Sequence, residues 1–235
     1  MEAMLHAPFW IAVGQIILID ILLGGDNAVV IALACRGLPP KQRKLGIIYG
    51  TAGAIVLRVI LIAFALALLA VPYLKLVGGL LLIWIGVKLL VPADDEEDHL
   101  NINTSDKLWG AVKTVIVADL VMSVDNVLAI AGAAENAGKN QLFLVIFGLL
   151  VSIPIIVAGS QLVLKLMDRF PIIITLGAML LGWIAGQMMY TDPATHAHLP
   201  EGKVWEYATA VFGALLVLGI AKIVQARRAG KPDPA

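Results

Sequence analysis

Seven apolar stretches, each long enough to cross a lipid bilayer as one helix, constrain this chain more than any other feature. They lie at roughly 8–34, 44–70, 72–91, 108–133, 140–165, 170–190 and 205–226. About 20 apolar residues in helical form span the roughly 30 Å of bilayer hydrocarbon. Of the 235 residues 60% are hydrophobic and 14% charged, too little charge to coat a soluble domain of this size. The expected fold is therefore all-α, a polytopic membrane bundle of seven transmembrane helices. Pro8, Pro72 and Pro171 stand where helices begin, where a proline loses no hydrogen bond. Pro154 stands mid-span and is expected to kink or loosen the fifth helix.

Net charge is zero, so bulk charge names no partner, and nothing points to nucleic acid. Cys35, the single cysteine, allows neither an internal disulfide nor a thiolate metal site and reads as a small apolar filler. The first thirty residues carry Glu2, lack a basic leader and run straight into a polar motif, which reads as a first span and not a cleaved signal. Arg36, Lys41, Arg43 and Lys44 follow span one. Lys165 and Arg169 flank the link between spans five and six, and Lys222, Arg227, Arg228 and Lys231 close span seven. The opposite set of links holds only Lys75, Lys139 and Lys203. The positive-inside rule then puts the N-terminus outside and the C-terminus in the cytoplasm. The acidic run Asp94 to Asp98 falls in a cytoplasmic link and reads as a solvated linker.

The chain also repeats itself at a constant offset of 99 residues. Trp10 falls on Trp109, Asp20 on Asp119, Asp26 on Asp125 and Asn27 on Asn126, and much later Pro72 on Pro171, Gly78 on Gly177 and Trp84 on Trp183. Each copy holds three spans, an odd number, so the second copy enters the membrane from the opposite side. Such inverted repeats are the common plan of secondary transporters, with the site near the bilayer midplane between the halves. The expected organisation is a first three-helix repeat at 1–91, an acidic cytoplasmic linker at 92–107 and a second, inverted repeat at 108–191. An outside loop, a seventh helix and a basic tail follow at 192–235.

Each repeat carries a polar motif inside an apolar span: Asp20 with Asp26-Asn27, and Asp119 with Asp125-Asn126. An aspartate at the centre of a membrane helix costs about 2.5–3.5 kcal/mol on insertion scales, so four in symmetric pairs need a compensating partner. In an unbroken helix Asp20 and Asn27, seven apart, lie on one face while Asp26 points away. Gly24-Gly25 offers a local unwinding that would let Asp26, Asn27 and freed carbonyls converge with Asp20. The second copy has Ser123-Val124 there, so its break is less certain, and Ser123 offers a hydroxyl oxygen instead. Carboxylates, amides and carbonyls without histidine or cysteine make a hard-oxygen site suited to Mg²⁺, Ca²⁺ or Mn²⁺. Clustered burial favours proton uptake by such acids when the ion leaves, which suggests exchange of protons for metal. Arg58, the one strong cation at membrane depth, reads equally as a partner for an acid or as a side chain reaching toward the interface. Gln15, Thr114, Gln161 and Gln187 read as glue between helices, and Gly78-Gly79 and Gly182 as marks of close helix packing. Asp192, His196 and His198 read as solvated residues of an outside loop, with metal sampling there as the lesser reading.

At these motifs the chain resembles the TerC family of integral membrane proteins, especially its compact YjbE-type members. The resemblance is carried by Gly24-Gly25-Asp26-Asn27-Ala28 and Ser123-Val124-Asp125-Asn126-Val127, with Asp20 and Asp119. It extends to Gly50-Thr51-Ala52-Gly53-Ala54 ahead of Arg58, and to Gly78-Gly79-Leu80-Leu81-Leu82-Ile83-Trp84. It implies a bacterial inner-membrane protein that exports Mn²⁺ and protects cells against manganese excess. The family name, taken from tellurium resistance, would suggest an oxyanion, which buried aspartates repel.

The functional expectation is a divalent-cation exporter, with Mn²⁺ as cargo, no prosthetic group, and the metal ion and the bilayer as partners. The metal residues are Asp20, Asp26, Asn27, Asp119, Asp125 and Asn126, with Ser123 and Arg58 as accessories. Transport of Ca²⁺ or a cationic amino acid, or a membrane scaffold or assembly role, are the competing readings. A scaffold has no need of four buried acids. No nucleophile with a base and no phosphate-binding loop is present, which argues against an enzyme and against a nucleotide-driven pump.

Overall fold

The computed structural model describes residue 14 and residues 26–64, 71–91, 104–135, 141–196, 198–200 and 202–229, without the side chains at 62–63, 104, 125–135 and 141–145. Among the described residues all regular structure is helical: α1 (Asp26–Cys35), α2 (Pro40–Ala63), α3 (Leu74–Leu90), α4 (Thr104–Glu135), α5 (Gln141–Arg169), α6 (Ile172–Tyr190), the single turn α7 (Pro193–His196) and α8 (Lys203–Ala229). The boundaries follow local chemistry. Pro40 opens α2, four residues ahead of the apolar run, because a proline suits a first turn whose N–H groups have no partner inside the helix. α5 runs helical through Pro154. Among the described residues four helices are long and apolar enough to cross a membrane: Pro40–Leu61, Ile146–Arg169, Ile172–Tyr190 and Lys203–Arg228. The 22 residues of the first of these rise about 33 Å, a bilayer's hydrocarbon thickness.

The surface matches that solvent. Val204, Phe212, Leu215 and Ile223 of α8 point outward and are exposed, while Asn27, Thr51, Arg58, Asp119, Ser123, Ser152 and Ser160 are buried. Apolar side chains outside and polar ones inside suit a chain dissolved in lipid. The helices gather into two compact units, each drawing on both halves of the chain: Met1–Val71 with Leu108–Leu166, and Pro72–Lys107 with Met167–Ala235.

In the first unit, α2 lies against α4 along three glycines. A Cβ on Gly46 would sit 3.4 Å from Leu108, one on Gly50 2.9 Å from Val115, and one on Gly53 2.5 Å from Ile116. Residue numbers rise together on both helices, so they run parallel. Small residues at this spacing let backbones approach where lipid supplies no hydrophobic drive between helices. The Tyr49 and Trp109 rings stack across the same pair, 6.2 Å apart.

The second unit packs α3, α6 and α8 by the same device. Gly79 meets Met189 and the Ala185 carbonyl, and Gly86 meets the Ala178 carbonyl, so α3 and α6 are antiparallel. Gly182 and Gly186 of α6 press on the backbone at Gly213 and Thr209 of α8. The glycines read from sequence as packing marks, Gly79 and Gly182, do that work. Gln187 reaches Glu206 of α8 at 3.4 Å, acting as helix glue, whereas Thr114 bonds back to the Gly110 carbonyl of its own helix at 2.8 Å.

The reading of Asp192 as a solvated loop residue is corrected by its burial. Its Oδ1 accepts the Tyr73 and Ala194 N–H groups at 3.0 and 2.8 Å, and its Oδ2 those of Lys75 and Leu76 at 3.0 and 3.2 Å. One carboxylate thereby satisfies the orphan donors at the start of α3 and in its own turn. It also holds Tyr73 in the left-handed region, at φ 66°. Burial alone would raise the pKa of Asp192, but the backbone donors outweigh it and hold the carboxyl below the ordinary aspartate range. His196 packs edge-on to the Tyr190 ring and His198 Nδ1 faces the Ala194 carbonyl at 3.0 Å, so the loop's polar groups serve the turn and not a metal.

Two outcomes follow. Gly186→Val drives a side chain into the Thr209 backbone and should lower stability by about 1–3 kcal/mol or prevent folding, read as thermal unfolding in detergent. Asp192→Asn leaves one acceptor oxygen for four donors and should cost about 1–3 kcal/mol at neutral pH. Because the folded-state pKa is depressed, the wild-type advantage should be complete above the ordinary aspartate pKa of about 3.9 and vanish as pH falls through the lower folded value.

Candidate functional site

Close approach of α2 and α4 sets up the polar centre of the first unit. One and a half turns beyond Gly53, Arg58 reaches across to α4, 3% exposed against 6% for Asp119. Its Nη2 donates to Asp119 Oδ1 at 2.5 Å and its Nε donates to Ser123 Oγ at 3.0 Å. Ser123 Oγ in turn donates to Asp119 Oδ2 at 3.0 Å. Asp119 and Ser123 are four apart on one continuous helix, hence on one face, and the planar guanidinium fork matches that pair. α4 passes through Ser123-Val124 without a break. Of the two readings of Arg58, the structure selects pairing with an acid.

On the first motif, α1 is described from Asp26 onward. The Asn27 N–H donates to Asp26 Oδ1 at 2.8 Å, a side-chain bond typical of a helix's first turn. Gly24-Gly25 and Asp20 lie outside the described residues. Asp26 is half-buried and lies close enough to feel the charges of Arg58 and Asp119. Asp125 and Asn126 belong to α4, and their side chains lie outside the described residues.

Asn27 is 4% exposed and Thr51 2%, yet neither the Asn27 amide nitrogen and oxygen nor the Thr51 hydroxyl has a hydrogen-bond partner. Buried polar groups without partners are uncommon and costly. Helical hydroxyls usually bond back to a carbonyl of the preceding turn, as Ser152 and Ser160 do, but Thr51 does not. Both side chains instead line narrow voids walled by Val30, Ile31, Val115 and Ile156, beside Asp119 and Arg58. Each void has room for about one water molecule. The site thus contains an oxygen donor, Thr51, that sequence reading passed over as part of a glycine-rich stretch. Its signal was present: a hydroxyl seven residues before Arg58, on the same face of α2. Among the described residues no three His, Cys, Asp or Glu side chains form a metal-sized group, and the described acids here are Asp26 and Asp119.

The chain's relatives agree with this picture. The family model described as "Integral membrane protein TerC family" matches residues 5–229. The chain belongs to the TerC family. The uncharacterized membrane protein YjbE of Bacillus subtilis (strain 168) is 43% identical over 174 residues, covering 74% of this chain and 77% of the relative. YceF, a second uncharacterized membrane protein of the same organism, is 28% identical over 224 residues, 92% of this chain and 84% of its own. The inner membrane protein YgdQ of Escherichia coli (strain K12) is 25% identical over 212 residues, covering 83% and 86%. No solved structure matches the chain. This TerC protein is accordingly an integral, multi-pass membrane protein with a buried polar centre on α1, α2 and α4.

The unpartnered hydroxyl and the paired carboxylate should respond oppositely to mutation. Thr51→Val removes a buried group that bonds to nothing, and thermal unfolding of the empty protein should shift by less than about 1 kcal/mol, or rise. Asp119→Ala strands a buried guanidinium and should cost about 3–5 kcal/mol in the same assay.

Proposed function

We propose that this TerC protein exports divalent metal cations, Mn²⁺ foremost, in exchange for protons carried by its intramembrane aspartates. The observation that carries the reading is the set of unpartnered, buried oxygens of Asn27 and Thr51 beside Asp119, around a void of one-ion size. Buried polar atoms with no protein partner, next to a carboxylate in an apolar surround, favour a small hard cation as the missing partner. Asp20, Asp26, Asn27, Asp119, Asp125 and Asn126 ligate the ion in this reading, Thr51 joins them, and Ser123 and Arg58 are accessories. The metal is cargo, and no prosthetic group or enzymatic step is proposed.

The transport architecture in this reading is seven spans, built from inverted repeats at 1–91 and 108–191 with the seventh helix in 192–235. Parallel packing of α2 and α4 supports it, since the intervening chain has to cross back. A second support lies in α3 and α6. Shifting Gly79 and Gly86 by the repeat offset gives Ala178 and Ala185, so the contacts Gly79–Ala185 and Gly86–Ala178 exchange with each other. A two-fold axis between the helices has that consequence. The printed name of YgdQ, an inner membrane protein, supports the bacterial inner membrane as the location, and the basic links support an outside N-terminus and a cytoplasmic C-terminus.

The test is cation flux in sealed proteoliposomes holding the purified protein, comparing Mn²⁺, Ca²⁺, Mg²⁺ and Zn²⁺ with and without a proton gradient. Saturable Mn²⁺ movement stimulated by the gradient is expected. Asp26→Asn and Asp125→Asn should each abolish it while membrane insertion stays intact. Absence of any cation flux from folded protein would sink the transport reading in favour of an assembly role.

A further inference from the structure

Arg58 has no counterpart in the second repeat: the offset of 99 places Val157 at its position. The copies are therefore unequal in charge. Asp119, from the second motif, receives a guanidinium from the first copy, whereas the residue equivalent to Arg58 for its mate Asp20 is apolar. Both oxygens of Asp119 are already engaged, Oδ1 by Arg58 Nη2 at 2.5 Å and Oδ2 by Ser123 Oγ at 3.0 Å. Ser123 also fixes Arg58 through Nε at 3.0 Å. Next to this closed triangle stand Asn27 and Thr51, more than nine-tenths buried, with polar atoms that bond to nothing and that line the void Arg58 and Asp119 share. The carboxylate is occupied while its neutral co-ligands are idle.

We propose that Arg58 is a tethered cation that holds Asp119 whenever the substrate cation is absent, and that an entering divalent ion binds by displacing it, with Ser123 as the latch. This rests on the transport reading above. A guanidinium and a metal ion on one carboxylate repel strongly in a low-dielectric interior, so the two occupy Asp119 alternately. The empty site stays neutralised without an open acid, and the returning guanidinium helps expel the ion. Arg58 also makes substrate affinity depend on how often the latch opens, since only the open fraction binds metal. Asp26, within electrostatic reach of Arg58, is the acid available to receive it once displaced.

The experiment is direct Mn²⁺ titration of the purified full chain by calorimetry, paired with flux in proteoliposomes, for wild type, Arg58→Gln and Ser123→Ala. Removing the competitor should tighten Mn²⁺ binding about tenfold in Arg58→Gln while slowing flux, because nothing then expels the ion. Ser123→Ala keeps every charge, so it tests the idea even where Arg58→Gln fails to fold; it should bind Mn²⁺ about threefold tighter. A merely structural role, or a ligand role for Ser123, moves affinity the other way. Wild-type protein that binds Mn²⁺, with equal or weaker binding in the folded variants, would overturn the tethered-cation proposal alone. Wild-type protein that binds no divalent cation would overturn the transport reading and this proposal with it.

Discussion

Arg58 and Asp119 meet at membrane depth only because Gly46, Gly50 and Gly53 let α2 lie directly on α4. Side chains at those positions would hold the backbones apart, and a guanidinium on α2 could no longer reach a carboxylate on α4. In lipid that separation would leave two opposite charges each without a partner, an arrangement far more costly than the pair. The glycine face and the ion pair thus belong to one design, and the idle oxygens of Asn27 and Thr51 sit beside it. Packing with so little bulk fixes positions tightly, which a site for a bare ion requires.

The second unit solves a different problem with related means. Glycine-to-backbone contacts bind α6 to α3 and α8 without any charged group in the interface. The charge is kept for the end of the bundle, where Asp192 collects four N–H groups and ties the start of α3 to the end of α6. The Tyr190 hydroxyl adds to it by donating to the Pro200 carbonyl at 2.9 Å. A rigid, closed unit of this kind suits a frame, whereas the first unit holds both the voids and the buried charge. The division of labour, frame against polar centre, cuts across the sequence halves.

Much of this was legible beforehand because lipid is a demanding solvent. Apolar run length alone located α2, α3, α5, α6 and α8 to within a few residues, since a membrane helix must be both long and apolar. The aspartates stood out because a carboxylate inside such a run is too expensive to be incidental. Thr51 was harder to see. A threonine in a membrane helix is ordinary, and only the missing bond to the preceding turn marks it as different. Asp192 was harder still, because in sequence it is one polar residue in a polar link, and its four donors lie partly 116 to 119 positions away.

Sequence by itself determined the solvent, the helical class, the family motifs and the residues whose chemistry demands explanation, because hydropathy and buried charge are properties of residues taken in order. Tertiary structure decided which acid Arg58 neutralises, that Ser123 completes that pair, that Thr51 faces the same void and that Asp192 is an anchor. Those outcomes depend on which helix faces which and in what register. The register is set by backbone approach at a few glycines, a relation between residues more than 60 positions apart that no local pattern encodes.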